Sequence, residues 1–246
     1  MRFFHYIGSY YLFLRRVFSR PQNSRMFMKQ LMRDIMSLGM DSIMIVAVIS
    51  LFLGAVITIQ SAYNTDKPYI PTYLVGWVAR DSIFLEFSST VIALVLAGKV
   101  GSHISSEIGT MRVTEQIDAM EIMGINSASY IVLPKVVASL FFNPLLTILS
   151  MIIGMTGGYL AVIFTHIIPT ESYLYGLQYS FNPFYVAFAL IKCVFFTFAI
   201  TTIAAFLGYH VKGGALEVGK SSTRTVVISS ICVLLLDLVI TQMLMS

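Results

Sequence analysis

Residues 42–62 read SIMIVAVISLFLGAVITIQSA, with no charged side chain among them. About 20 apolar residues wound as a helix cross the roughly 30 Å hydrocarbon core of a bilayer. Inside hydrocarbon the backbone must satisfy its own hydrogen bonds, and a helix does so within one segment. This run therefore predicts a transmembrane helix. Four more runs share its character, at residues 83–98, 130–164, 183–209 and 225–245. The chain is predicted to be an all-α integral membrane protein with about five transmembrane helices. The run at 130–164 is too long for one bilayer crossing: at 1.5 Å per residue it makes a helix of roughly 52 Å. One of its ends should project, with distortions at Pro134 and Pro144, where proline removes a helix hydrogen bond.

Composition agrees with that reading. Of the 246 residues, 57% are apolar and 11% charged, against about 45–50% and about 25% in soluble domains. Mean hydropathy is +0.82. Too little polar surface exists for a soluble globule, and disorder requires the opposite composition. The net charge of +4 could suggest nucleic acid, but its distribution favours a membrane origin. With the N-terminus in the cytoplasm, 13 positive residues fall inside: Arg2, Arg15, Arg16, Arg20, Arg25, Lys29, Arg33, Lys99, Arg112, Lys135, Lys212, Lys220 and Arg224. Outside are only Lys67 and Arg80, and Lys192 lies within a span. This is the positive-inside pattern, and no nucleic-acid partner is needed. Cys193 and Cys232 sit in apolar runs, and His5, His103, His166 and His210 are scattered. Neither a disulfide framework nor a metal centre follows from such spacing, and no cofactor is expected.

Residues 1–40 form a separate N-terminal segment. Phe3, Ile7, Tyr10, Leu14 and Val17 recur at helical spacing. Beyond Pro21, Met28, Leu31, Ile35 and Leu38 share one face, and Arg25, Lys29 and Arg33 form a basic stripe on another. Apolar residues opposite Lys/Arg predict an amphipathic helix in the cytoplasmic interface. A signal peptide fits less well, since charges follow the aromatic run and no small-residue cleavage site is visible. The Arg15-Arg16 pair lacks the apolar region of a twin-arginine signal.

Residues 214–221, GALEVGKS, match the pattern GxxxxGK[ST] literally. That motif works only between a buried strand and a phosphate-facing helix N-terminus. Here it lies between two spans, so it reads as a chance match. The polar segment at 103–124 is more informative. It combines Glu107, Arg112, Glu115, Asp118 and Glu121 with Ile108, Met111, Ile117 and Met120. Apolar anchors bounded by charges suit a short helix docking into a soluble partner. Three ionisable residues, Glu86, Lys192 and Asp237, fall within spans, where charge is costly and often functional. They could pair between helices or line a cavity or gate. Gly154-Met-Thr-Gly157-Gly158 permits close helix approach, most simply within the chain. The many methionines read as adaptable packing.

The segment SEIGTMRVTEQIDAMEIMG at 106–124, followed by YIVLPKVVAS at 130–139, closely resembles the signature of the MlaE/YrbE family of ABC transporter permeases. These permeases belong to MCE-associated lipid transport systems. The C-terminal stretch GYHVKGGALEVGKSSTRTVVISSICVLLLDLVIT at 208–241 resembles the family's last cytoplasmic loop and span, and AGKVGS at 97–102 is a third match. The resemblance covers residues 40–246 and implies a permease domain over 41–246. It implies a homodimer with a lipid cavity, two ABC ATPase subunits on the cytoplasmic side and a periplasmic MCE-domain protein. Some such systems add a STAS-domain protein. Phospholipid would be the substrate. Glu107, Met111, Arg112, Glu115 and Asp118 would belong to the coupling segment that inserts into the ATPase, and Glu86, Lys192 and Asp237 to the lipid cavity or gate. The family's Arg-Glu-x-Gly-Pro stretch is Leu85-Glu86-Phe87-Ser88-Ser89 here; only the glutamate remains, so another group must take over any headgroup contact of that arginine.

The resulting expectation is a multi-pass inner-membrane permease subunit, N-terminus cytoplasmic, driven by a separate ATPase and not itself an enzyme. An ion-coupled carrier could use Glu86, Lys192 and Asp237 as a relay, but no inverted repeat with broken spans is evident. A membrane enzyme would need a paired acid and base or an activated nucleophile in the spans, and none is spaced for that. A scaffold would leave the three intramembrane charges unexplained.

Overall fold

The computed structural model describes residues 2–19, 24–65 and 69–245. Arg20, Pro21 and Lys67 lie outside these residues, as do the side chains of Arg2, Phe3, His5 and Ile7. Among the described residues the chain is all-helical, and five helices are long and apolar enough to cross a membrane: Arg25–Thr65, Tyr73–Val113, Ser127–Thr165, Phe184–Tyr209 and Ala215–Leu244.

The N-terminal helix α1 is Arg2–Val17. Helix α2, Ser24–Asp34, passes through a π-helical segment, Ile35–Met40, into α3, Asp41–Thr65. The second long helix is composite. It comprises α4, Tyr73–Ser82, a π segment Ile83–Val91, α5, Ile92–Leu96, another π segment Ala97–Gly101 and α6, Ser102–Val113. A tight hairpin leads to α7, Gln116–Ile122. Helix α8, Ser127–Thr165, is about 58 Å long and stays helical through Pro134 and Pro144. Helices α9, Thr170–Gln178, α10, Phe184–Tyr209, and α11, Ala215–Met245, complete the chain. Local chemistry sets several ends. Asn126 Oδ1 accepts the Ser129 amide and Asn182 Oδ1 the Phe184 amide, satisfying N–H groups that a first helical turn leaves orphaned. Gly213, at φ +122°, supplies a backbone conformation that L side chains resist, just before α11.

The chain divides into two compact units. The first comprises Met1–Asp41, Leu94–Phe142 and Phe195–Leu238. In it α1 docks on α10: Phe13 packs edge-on against Phe206 and beside Tyr209, and Tyr10 shares a 2.7 Å hydrogen bond with Thr202. Glycines let its helices approach closely, since a methyl on Gly208 would overlap the Ser105 carbonyl and one on Gly109 would press on Val218. The second unit comprises Ser42–Ala93, Asn143–Val194 and Val239–Ser246. Its core gathers Ile57, Val75, Ala79, Ile83, Phe84, Met151 and Tyr173. There α3 and α8 meet backbone to backbone, because methyls on Gly54 and Gly157 would overlap the carbonyls of Gly154 and Leu51. The small-residue motif at 154–158 is thus used within the chain.

Candidate functional site

The second unit holds an ion pair built from two helices. Lys192 on α10 is 0% exposed. Its Nζ donates to Glu86 Oε1 at 2.9 Å and to the Leu85 carbonyl at 3.3 Å, and lies 4.7 Å from the Phe188 ring centroid. Glu86 and Leu85 both belong to the π segment Ile83–Val91, a rare helical form that recurs at functional sites. Thr90 donates to Glu86 Oε2 at 3.3 Å. The lysine is the covered partner, while the Glu86 side chain is 43% exposed. Of the two roles the sequence left open for Lys192, this geometry is the pairing one. Asp237 is half-buried on α11.

A cleft in the same unit is lined by Ser50, Gly54, Phe87, Ser88, Ser150 and Gly154, among others. Its hydroxyls and glycines give it a polar stripe in an otherwise apolar wall. Nearby, Arg80 is buried although the sequence places it among the outer-loop charges. It pairs with Asp81 at 2.7 Å, donates to the carbonyls of Leu177 at 2.8 Å and Tyr179 at 2.9 Å, and lies over the Phe181 ring. A methyl on Gly76 would overlap the Tyr173 carbonyl, so α4 and α9 pack closely as well.

In the first unit the polar segment forms the α6–α7 hairpin. Its turn is Glu115, an exposed residue with φ +60°. Left-handed backbone at a non-glycine residue costs on the order of 1–2 kcal/mol, and such strain clusters at functional sites. Arg112 and Asp118 form an ion pair across the hairpin, and Arg112 also lies 5.9 Å from the Tyr209 ring centroid. Tyr209 donates to Glu121 at 2.7 Å and meets Ser127 at 2.8 Å, anchoring α7 to α10. The Tyr209 hydroxyl beside it holds the Glu121 carboxyl below the usual carboxylate range. Glu107 is turned toward Lys135, 2.7 Å away, and Met111 is half-buried. Of the charges nominated from sequence, Glu115 alone stands exposed at the tip, while Glu107, Arg112 and Asp118 make the internal bonds just described.

The apolar positions also divide. Ile108 and Ile117 are fully buried, whereas Ile122 is 88% and Met123 66% exposed. Helical periodicity finds the first pair but misses the second, which ends α7 just before Gly124 with its φ of +75°. Lys135, one of the 13 inside charges, is buried; it sits within the apolar run at 130–164, and that position is the signal of its burial. The nucleotide-like match at 214–221 lies largely in the first turns of α11. Gly219, Lys220 and Ser221 are helical there, Lys220 pairs with Glu217, and Ser221 meets Ser105 at 3.2 Å. A phosphate loop needs non-helical backbone before the helix, and these residues do not provide it.

Comparison with known proteins agrees with this architecture. The family described as Permease MlaE matches residues 31–243. A probable ABC transporter permease protein of Rickettsia felis is 32% identical over 243 residues, covering 99% of this chain and 93% of the relative. A probable ABC transporter permease of Synechocystis is 34% identical over 219 residues, 89% of this chain and 82% of the relative. The intermembrane phospholipid transport system permease protein MlaE of Haemophilus influenzae is 31% identical over 241 residues, with 97% and 92% coverage. With most of its length matched by the family and by full-length relatives, the chain belongs to the MlaE permease family.

Proposed function

We propose that this chain is the permease subunit of an ABC-type phospholipid transporter working between the inner membrane and the outer envelope. The observation that carries the coupling half of the reading is the α6–α7 hairpin, which exposes Ile122, Met123 and Glu115 while its other charges brace it internally. An apolar pair at one end of α7 and a charged, strained turn at the other are what a partner's groove can grip. The partner is an ABC ATPase on the cytoplasmic side. A periplasmic MCE-domain protein and, in some assemblies, a STAS-domain protein join a homodimer of this chain. ATP binding to the partner supplies the differential free energy that a change of conformation requires. The exposed carboxylate of Glu86, backed by Lys192, belongs to the lipid path or its gate, and Asp237, in the first unit, is a separate candidate for that role. The name of the Haemophilus relative, an intermembrane phospholipid transport system permease protein, supports the substrate class.

Co-purification with the ATPase tests the reading. Ile122→Asp removes an anchor worth roughly 1.5–3 kcal/mol, so ATPase affinity is expected to fall about ten- to a hundredfold. Glu115→Lys should weaken it further without changing the backbone demand at the turn, since lysine meets the same left-handed strain. Undiminished co-purification and lipid transfer for the double variant would reject the hairpin as the docking element.

Orientation follows from the charge bias, and labelling tests it. Asn64 is exposed beside the end of α3, and Lys220 is exposed on α11, whereas Ser221 is buried. Single cysteines at positions 64 and 220, with Cys193 and Cys232 replaced, are expected to react from opposite faces of the membrane, position 220 from the cytoplasm. Reaction from one face would discard the five-span topology.

A further inference from the structure

We infer that Lys135 is a positioning residue that ties the coupling helix α6 to the π-helical joint between α2 and α3, so that movement of one moves the other. The inference rests on the coupling role proposed above for the hairpin. Lys135 is 1% exposed on α8. Its ammonium bonds Asp34 Oδ1 at 3.0 Å and Glu107 Oε2 at 2.7 Å. Asp34 is the last residue of α2, immediately before the π segment Ile35–Met40. Glu107 lies on α6, two turns before the hairpin tip, with His103 Nδ1 3.7 Å from its carboxylate.

The far end of the same π segment is held as well. Lys99, in the π segment Ala97–Gly101, donates to the backbone carbonyl of Asp41. Between these two fixings Gly39 lies against the Phe142 ring so closely that a methyl would overlap it. The joint is therefore gripped at both ends by lysines and in the middle by an aromatic ring, and the first grip is shared with the coupling helix. π turns mark sites where a helix bends or works, and here one separates a basic, exposed helix from the first span.

Stability alone does not account for this arrangement. A buried ion triad replaced by apolar residues of like volume is often neutral or stabilising, while removal of one member leaves a charge uncompensated. The triad has a second property that apolar packing lacks. Its hydrogen bonds are directional, so α6 and the joint keep one relative placement, and they act together as a network. A push on the tip travels along α6, through Glu107 and Lys135, to Asp34 and the base of the first span.

The test replaces the triad by apolar residues, Asp34→Leu, Lys135→Met and Glu107→Met together, which avoids the misfolding that a single unpaired charge invites. Lys135→Arg serves as the conservative variant. Spin labels at positions 28 and 110, both exposed, report the spacing of α2 and α6 in the full chain without ATPase. Phospholipid transfer per ATP hydrolysed is then read in vesicles with the co-purified ATPase. The triple variant is expected to melt like the wild type, to broaden the label distance distribution and to lose at least tenfold in transfer per ATP hydrolysed by the ATPase that it retains. Lys135→Arg should restore a narrow distribution and most of the transfer. An unchanged distribution in the triple variant overturns the inference, whatever the transfer per ATP. The label distances are read on the chain alone, so they decide it even where no ATPase associates, an outcome that would instead defeat the reading of the hairpin.

Discussion

Gly54→Leu and Gly157→Leu are each expected to prevent accumulation of a folded protein. In the native structure even a methyl at either position would overlap a backbone carbonyl of the facing helix, Gly154 for the first and Leu51 for the second. Overpacking against side chains typically costs 1–3 kcal/mol because rotamers can yield. A helix backbone cannot yield in that way, so α3 and α8 must separate and lose packing along their length. In a membrane this loss weighs more, because helix association there depends on close van der Waals contact with no hydrophobic gain to replace it. Gly219→Ala is the matching control. Nothing lies within 4 Å of the added methyl and the residue is helical, so the change is expected to be neutral or stabilising by about 0.5–1 kcal/mol. The same control probes the nucleotide-like match, since a phosphate loop would suffer from that substitution. Monodisperse elution and melting temperature in detergent read all three. A well-folded Gly157→Leu protein melting near the wild type would show that the two helices are not held at backbone contact.

How far the sequence carries can be judged from these residues. The five long helices were legible because hydrocarbon solvent demands about 20 apolar residues and little else. The close approach at 154–158 was legible from glycine spacing, but Gly54 was not, since it is an isolated glycine in an apolar run and its significance lies in what faces it. Lys135 and Arg80 are buried, and a charge count by side of the membrane carries no information on burial. Burial of either depends on carboxylates and carbonyls from distant parts of the chain, Asp34 and Glu107 in one case and residues 177–179 in the other. The three π segments had no visible signal, because they arise from how helices pack and not from a residue pattern. In the hairpin, the periodicity that marks a buried face found Ile108 and Ile117 correctly as apolar anchors but assigned them to a partner. They anchor the hairpin to its own unit, and the exposed pair, Ile122 and Met123, follows where the periodicity ends.

Removing one member of the Glu86–Lys192 pair is expected to be far more damaging than removing both. Lys192 has its ammonium covered and bonded to Glu86, so Glu86→Gln takes a paired carboxylate away from a buried charge. Breaking a buried pair in this way costs roughly 3–5 kcal/mol. That range is an upper figure here, because Glu86 is itself partly exposed and exposure weakens ion pairs. The Leu85 carbonyl and the Phe188 ring soften the loss without cancelling the charge. Lys192→Met should cost less, since Glu86 keeps the Thr90 hydroxyl and an exposed edge. The double variant Glu86→Gln/Lys192→Met removes both charges and should recover most of the stability lost by Glu86→Gln, giving a coupling of more than 1 kcal/mol in a double-mutant cycle. Melting temperatures of the four proteins in one detergent measure that cycle. Lipid transfer separates structure from function: a stable double variant that fails to move lipid assigns the exposed Glu86 carboxylate to the transport path, whereas one that transports normally confines the pair to holding α10 against the π segment. Additive single losses, with no recovery in the double variant, would mean that the two charges do not meet in the folded protein.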